Sequence, residues 1–411
     1  MSYKILTPQN LQDYLYGYEN IKEFFEGEEL QVQEIGDGNL NFVFRAKSKK
    51  DPQKSLIIKQ AVPYLRCAGE DYPLSKERMS FEIRALKEYE NLAPSYAPKV
   101  YLDDEEMSLV VMQDLNNHII LRKGLIQGKI YPNFSEQIST FLANTLFYTS
   151  SLYLQSYEKR DMMERFNKNS ELCKLTEDFV FTFPYMEHET NVVEEMNKEL
   201  ANRLFLDMEF KKEVLKLKYL FMTKSDALLH GDLHTGSIMV NEKETYVIDP
   251  EFAFFGPFGF DIGALIANLA SSYISHTVQN GNEDYREWIL NTLEEIWQKF
   301  EKKFLSLWSR QKESALLTQG FIDEKTLKEY QKEFMKYILK ESAGFAGCKM
   351  ARRVFGIAGV EEIRGIKDDS LRKKAQKISL STGVALVKNR EKIENIKDLT
   401  TIIRKCDEWT I

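Results

Sequence analysis

Residues 228–251 constrain this chain more than any other stretch. Leu228-Leu229 runs into His230-Gly231-Asp232-Leu233-His234-Thr235-Gly236-Ser237, after which Ile238-Met239-Val240 and Tyr246-Val247-Ile248 flank Asn241-Glu242-Lys243-Glu244 and lead to Asp249-Pro250-Glu251. Two short apolar runs around a polar segment read as a hairpin, and a hairpin there brings Asp232 and Asp249 near each other. Two half-buried acids do not both stay ionised without a neutralising partner, so the stretch asks for a metal ion or a basic substrate. His230, Asp232 and His234 also allow a hydrolytic metal site. Side chains two apart share a face only on a strand, however, and Gly231 with Thr235-Gly236 favours a loop; His118, His188 and His276 are isolated and complete no ligand set.

With 411 residues the chain exceeds the roughly 250–300 at which a single core stops growing, so two lobes are expected. A net charge of -7 leaves no basic surplus for a run of phosphates, which argues against a nucleic-acid partner. The start of the chain lacks an apolar signal-like region, and the apolar window 260–274 is short and broken by Asp261 and Asn268, so no membrane association is expected. Cys67, Cys173, Cys348 and Cys406 are scattered without metal-ligand spacing, which fits free thiols in a reducing cytoplasm.

In the first lobe, Thr7 reads as an N-cap with Pro8 opening a helix along Leu11, Leu15 and Tyr18. Leu30, Val32 and Ile35 alternate toward Gly36-Asp37-Gly38-Asn39-Leu40-Asn41, and residues 42–46 and 56–59 follow as strands. Glycines let backbone amides approach phosphate oxygens, though the same string also serves as a plain hairpin turn. Lys59 ends a strand otherwise apolar, where it either pins an anion or snorkels from an edge. Ser75 is placed to cap a helix along Met79, Ile83 and Leu86 that also carries Glu82, a partner for Lys59 or one more solvated acid. Residues 100–102 and 109–112 make a second hairpin that ends in Gln113-Asp114-Leu115.

From Ser135 the period becomes helical, with Asn133 or Ser135 as cap. Phe183-Pro184 marks a boundary, and Asp261 is either a helix N-cap or a carboxylate tied back to the 230–237 loop. Helical stretches follow over 285–307 and 324–340, then a separate small-residue stretch over 343–356 that ends near Arg352-Arg353. Adjacent helical residues diverge by about 100°, so the two guanidinium groups need not serve one ligand; an ordinary ion pair is the alternative.

A Gly-rich loop, a strand lysine, a helix glutamate, His-x-Asp and Asp-x-Glu occur here in the order that phosphoryl transfer uses them. In these motifs the chain resembles the protein-kinase-like small-molecule kinases, the group of aminoglycoside phosphotransferases and choline kinases, and within it the methylthioribose kinase family. Residues 230–238 and 249–257 carry the resemblance, supported by 36–41, 57–64 and 344–348 with Arg352-Arg353. It implies an α+β, bilobal, protein-kinase-like fold: a small antiparallel-sheet lobe over 1–115 ending in a hinge, and a larger, mainly helical lobe over 116–411. It implies transfer of the ATP γ-phosphate to the anomeric hydroxyl of 5-methylthioribose, giving the 1-phosphate, an intermediate of methionine salvage.

By the same resemblance Asp232 is the base and sugar-binding residue, and Arg352 and Arg353 face the sugar and the transferred group. Gly36, Gly38, Asn41, Lys59 and Glu82 serve the ATP phosphates, Gln113, Asp114 and Leu115 form the adenine hinge, and the Asp249-Pro250-Glu251 segment meets the nucleotide. Mg²⁺ sits on Asp249 and Glu251, with Ser237 as a further ligand. Asn41 and Ser237 stand where protein kinases have a third loop glycine and a metal-binding asparagine. Family members are commonly homodimers. The competing readings are an aminoglycoside- or choline-type phosphotransferase, whose acceptors are cationic, and a kinase-shaped binding protein.

Overall fold

Strand periodicity decides where the first unit puts its lysine. In strand β3 (Ser55–Ala61), Leu56 and Ile58 point to a core shared with Leu11, Leu15, Ile21 and Phe25, whereas Ile57 and Ala61 point to Met79, Ile83 and Leu86. Side chains alternate along a strand, so Lys59 shares the face of Ile57 and Ala61 and lies under the helix that carries Glu82. Described in the structure, a computed structural model, are residues 3–35, 40–65 and 69–408. Gly36 and Gly38 of the expected phosphate loop, and Cys67, lie outside the described residues. Cys173, Cys348 and Cys406 are free thiols.

Two compact units divide the chain. The first is Met1–His118 with Tyr246–Ala253, and the second is Ile119–Thr245 with Phe254–Ile411. The return of 246–253 to the first unit is absent from a simple division near residue 115. In chain order the first unit has helices α1 (Leu11–Leu15) and α2 (Glu19–Phe24), strands β1 (Leu30–Glu34), β2 (Asn41–Ser48) and β3, helix α3 (Arg78–Leu92), and strands β4 (Val100–Asp104) and β5 (Leu109–Gln113). The sheet is antiparallel in the order β1-β2-β3-β5-β4, with α1 and α2 on one face and α3 on the other.

Two helix starts differ from the sequence expectation. Thr7 does not cap α1: residues 8–10 form a turn, Asn10 Oδ1 accepts from the Thr7 amide (2.9 Å), and the helix opens at Leu11. Asn10, not Thr7, supplies the closing side chain. Ser75 likewise does not cap α3; its Oγ accepts from the Glu77 amide (3.1 Å) in the turn before Arg78.

The second unit contains β6 (Ile119–Ile120), α4 (Phe134–Tyr148), α5 (Met208–Thr223), β7 (Ala227–Leu229), β8 (Ile238–Val240), β9 (Phe254–Gly256), α6 (Gly259–Val278), α7 (Glu283–Arg310), α8 (Glu324–Phe355) and α9 (Asp369–Asn389). Neither expected cap of α4 acts through its side chain: Asn133 makes no cap bond, and Ser135 Oγ donates to Glu295 (2.7 Å). The turn at 241–244 lies between β8 and the strand Thr245–Val247, as the apolar runs predict.

Helix α6 is buried nearly all round, the pattern of a central core helix. The stretches at 324–340 and 343–356 are one helix, α8, and not two. Glycine costs about 1 kcal/mol in a helix interior, but here glycines let helices touch. A methyl on Gly347 would collide with the Gly383 carbonyl of α9, and one on Gly263 of α6 would meet the Ser342 carbonyl of α8. Close packing on both sides outweighs the propensity loss, so the small residues join the two halves of α8. Among the described residues no helix is long and apolar enough to cross a membrane.

Candidate active site

Within the first unit, Lys59 Nζ lies 2.8 Å from Glu82 Oε2 and also contacts Asp249 Oδ1. Glu82 has no exposed side-chain surface, whereas Asp249 is 46% exposed, so the pair is anchored at one end and open at the other. Burial works against the Lys59 charge, but Asp249, Glu82 and Glu251 hold its pKa above the ordinary lysine value. Asp249 has φ of 69°, a left-handed conformation uncommon for a side-chain-bearing residue and a mark of a position held by its surroundings.

Asn41 donates from Nδ2 to Glu251 Oε2 (2.9 Å) and accepts from Arg78 Nε (3.1 Å). The rest of the Arg78 guanidinium donates to the carbonyls of Val62, Ser75 and Leu40 at 2.7–2.9 Å. Glu82, Asp249 and Glu251 each offer an oxygen, and these oxygens lie within 4.8 Å of one another. Burial raises the pKa of both Glu82 and Glu251 against the pull of Lys59. Among the described residues three carboxylates meet two cations, and an all-oxygen donor set suits a hard divalent cation such as Mg²⁺. Arg78 was missed in the sequence because nothing in its spacing marks it; a buried asparagine needing a donor was the available hint.

Gln113 and Asp114 lie at the end of β5, followed by the buried Leu115. Asp114 is held by Arg45, with Nε 2.7 Å from Oδ2 and Nη2 3.0 Å from Oδ1, a fork geometry that fixes the carboxylate. The buried Pro250 lends its carbonyl to the Ala253 amide (3.1 Å).

Within the second unit, β7 delivers a tightly bonded loop. Asp261 in the first turn of α6 accepts from the amides of His230 (2.6 Å) and Gly231 (3.0 Å), so it is the carboxylate tied to the loop and not an N-cap. Gly231 has φ of 82°, which glycine adopts without strain. The Asp232 amide donates to His230 Nδ1 (3.2 Å), and the Gly236 amide to His234 Nδ1 (3.0 Å). Both histidines thus fix the loop. Ser237 Oγ accepts from the His234 amide (3.0 Å) and lies 2.9 Å from the carbonyls of Asp232 and His234. Its hydroxyl is engaged inside the loop.

The Asp232 side chain is 25% exposed. Burial alone would raise its pKa, but Lys349, then His234, Arg353 and Arg352, hold the carboxyl well below the usual range. Lys349 Nζ lies 3.1 Å from Oδ1, and His234 Nε2 lies 3.4 Å from Oδ2. Burial lowers the pKa of Arg352 and Arg353, and Asp232 opposes it in both. Both guanidinium groups therefore lie within electrostatic reach of Asp232, while Lys349 is the basic residue of α8 that pairs with it. Arg353 Nη1 also donates to the Ala358 carbonyl (3.1 Å). Lys349 went unnoticed in the sequence, although its spacing of three and four from the arginines puts it on their face of the helix.

Residues 31–296 match the phosphotransferase enzyme family, the class that a buried lysine–glutamate pair beside an Asp-x-Glu segment suggests on chemical grounds. The chain belongs to the methylthioribose kinase family. It is 41% identical over 387 residues to methylthioribose kinase 1 of Oryza sativa subsp. japonica, covering 92% of this chain and 89% of that one. It is 40% identical over 407 residues to a methylthioribose kinase of Bacillus cereus, covering 98% of both. In fold it is similar to a choline kinase from Cryptosporidium parvum, with a TM-score of 0.50 at 12% identity over 97% of this chain and 98% of that one.

Proposed function

We propose that this chain transfers the γ-phosphate of ATP to the anomeric hydroxyl of 5-methylthioribose, giving 5-methylthioribose 1-phosphate and ADP. The observation that carries the reading is Asp232, a partly exposed carboxylate paired with Lys349 and held ionised also by the charges of Arg352 and Arg353, in a chain about 40% identical to methylthioribose kinases. Asp232 stays ionised across the working pH range, so it accepts a hydrogen bond from the sugar hydroxyl, orients it, and takes its proton as the new O–P bond forms. Arg352 and Arg353 meet the negative charge that develops on the transferred group.

On the first unit, Lys59, held by Glu82, pins the nucleotide phosphates together with Asn41, and Gln113, Asp114 and Leu115 serve the adenine. Asp249 and Glu251 hold Mg²⁺, which when bound offsets negative charge on the phosphate oxygens. The product enters methionine salvage in the cytoplasm, and the working form is a homodimer, as the family resemblance implies.

A cationic acceptor such as choline or an aminoglycoside would meet Lys349, Arg352 and Arg353 at like charge, whereas a neutral sugar acquiring phosphate is suited to them. A coupled ADP-release assay over methylthioribose, ribose, choline and an aminoglycoside tests this. Methylthioribose is expected to be turned over fastest with Mg²⁺ and ATP. Turnover of choline or the aminoglycoside without methylthioribose would overturn the assignment.

A further inference from the structure

We propose that Lys349 is a positioning residue for the acceptor reaction: its ammonium fixes the Asp232 carboxylate so that Oδ2 is presented to the substrate hydroxyl while Oδ1 is committed to the protein. The inference rests on the reading of Asp232 as the acceptor-side base. Its geometry starts from α8, where Lys349 precedes Arg352 by three residues and Arg353 by four. At about 100° per residue, Lys349 falls angularly between the two arginines and points along the middle of the face they share.

The Lys349 side chain is 4% exposed, and its Nζ lies 3.1 Å from Asp232 Oδ1 and 4.6 Å from the centroid of the buried Phe260 ring on α6. The ring restricts the ammonium on one side and attracts it through its face, so the nitrogen is held against Oδ1. The second oxygen is also oriented. His234 Nδ1 accepts from the Gly236 amide (3.0 Å), so the neutral imidazole carries its proton on Nε2, which lies 3.4 Å from Asp232 Oδ2. Lys349 thus hydrogen-bonds one carboxylate oxygen, and the His234 ring lies beside the other.

A purely charge-balancing role explains this lysine poorly. Arg352 and Arg353 already offset the Asp232 charge through electrostatics, and a further buried ammonium is costly to desolvate. Burial pushes Lys349 down to about 8, with Asp232 opposing and the two arginines adding to the shift. A group retained at that cost beside an acid with two other cations is better explained by the orientation it imposes. Misplacement of a reacting group by about 1 Å costs on the order of 10²-fold in rate.

The test is a double-mutant cycle of Lys349→Met and Asp232→Asn, with Lys349→Arg as the charge-preserving control, run on whichever acceptor the wild-type protein turns over so that loss of the methylthioribose reading leaves the test standing. Expected are a fall in kcat of about 100-fold for Lys349→Met, a KM for ATP within about twofold of wild type, and partial recovery in Lys349→Arg. In the cycle, Lys349→Met is expected to add little to Asp232→Asn, because both act through the same carboxylate. Lys349→Gln replaces Lys349→Met in the cycle should the latter fail to fold. A kcat within twofold of wild type in the folded variant, or losses that multiply fully in the double mutant, would overturn the proposal.

Discussion

The two units carry clusters of opposite electrostatic character. Among the described residues, Glu82, Asp249 and Glu251 outnumber Lys59 and Arg78 in the first; in the second, Lys349, Arg352, Arg353 and Arg122 outnumber Asp232, Asp261 and Glu362. A surplus of acid recruits a cation, and a surplus of base stabilises an anion, so each cluster is complementary to something the chain itself does not supply. On the function proposed above, the contrast corresponds to a nucleotide-and-metal end and an acceptor end of a phosphoryl-transfer reaction. Asp232→Asn removes the acid that Lys349 pairs with and breaks the comparison most severely. Turnover is expected to fall about 10³-fold, within the range for loss of a positioned general base, while the KM for ATP stays close to wild type. Steady-state kinetics with both substrates varied checks this, and unchanged turnover would move the acceptor site elsewhere.

Arg352→Ala and Arg353→Ala probe the same cluster from its cationic side. Each removes a charge near Asp232 without touching the acid, so kcat/KM for the sugar is expected to fall about 10- to 100-fold, the scale of one charged hydrogen bond at about 1.5–3 kcal/mol. Nucleotide KM is expected to remain near wild type. Equal losses for sugar and nucleotide would show that the basic cluster serves both substrates, and the division would then fail.

How much of this was legible in the sequence differs between the two clusters for a physical reason. Lys59 and Glu82 could be paired in advance because strand alternation and helix periodicity are local rules, and local rules survive in the sequence. The two possible roles of Asp261 could be named but not separated, since only the fold carries it to the His230 and Gly231 amides. Lys349 and Arg78 were invisible for the opposite reason: each is one basic residue among 56 until tertiary packing buries it. The continuity of α8 was also misread. The small residues at 343–347 were legible as permitting close helix approach, but that the approach of α6 and α9 carries one helix through Gly344 and Gly347 is visible only in the fold.

The smallest expected effect, a few degrees in Tm, separates the clusters by pH. Burial raises the carboxyl pKa of Glu82 and Glu251, so above the ordinary glutamate value the folded chain keeps protons that the unfolded chain has released. Stability from that cluster therefore falls as pH rises from the ordinary glutamate value toward the folded ones. Asp232 runs the other way: its folded pKa lies well below the ordinary aspartate value, so its contribution is present above that value and is lost on acidification. Mg²⁺ held by Glu251 and Asp249, as proposed, would compete with the proton on Glu251, and its stabilisation through preferential binding to the folded chain should grow with pH. Thermal unfolding with and without Mg²⁺ is expected to show a larger gain at pH 8 than at pH 6, and Glu251→Gln should reduce that difference while Arg353→Ala leaves it in place. A Mg²⁺ gain that is the same at both pH values, or one abolished by Arg353→Ala, would place the metal away from the acidic cluster and undo the assignment of opposite roles to the two units.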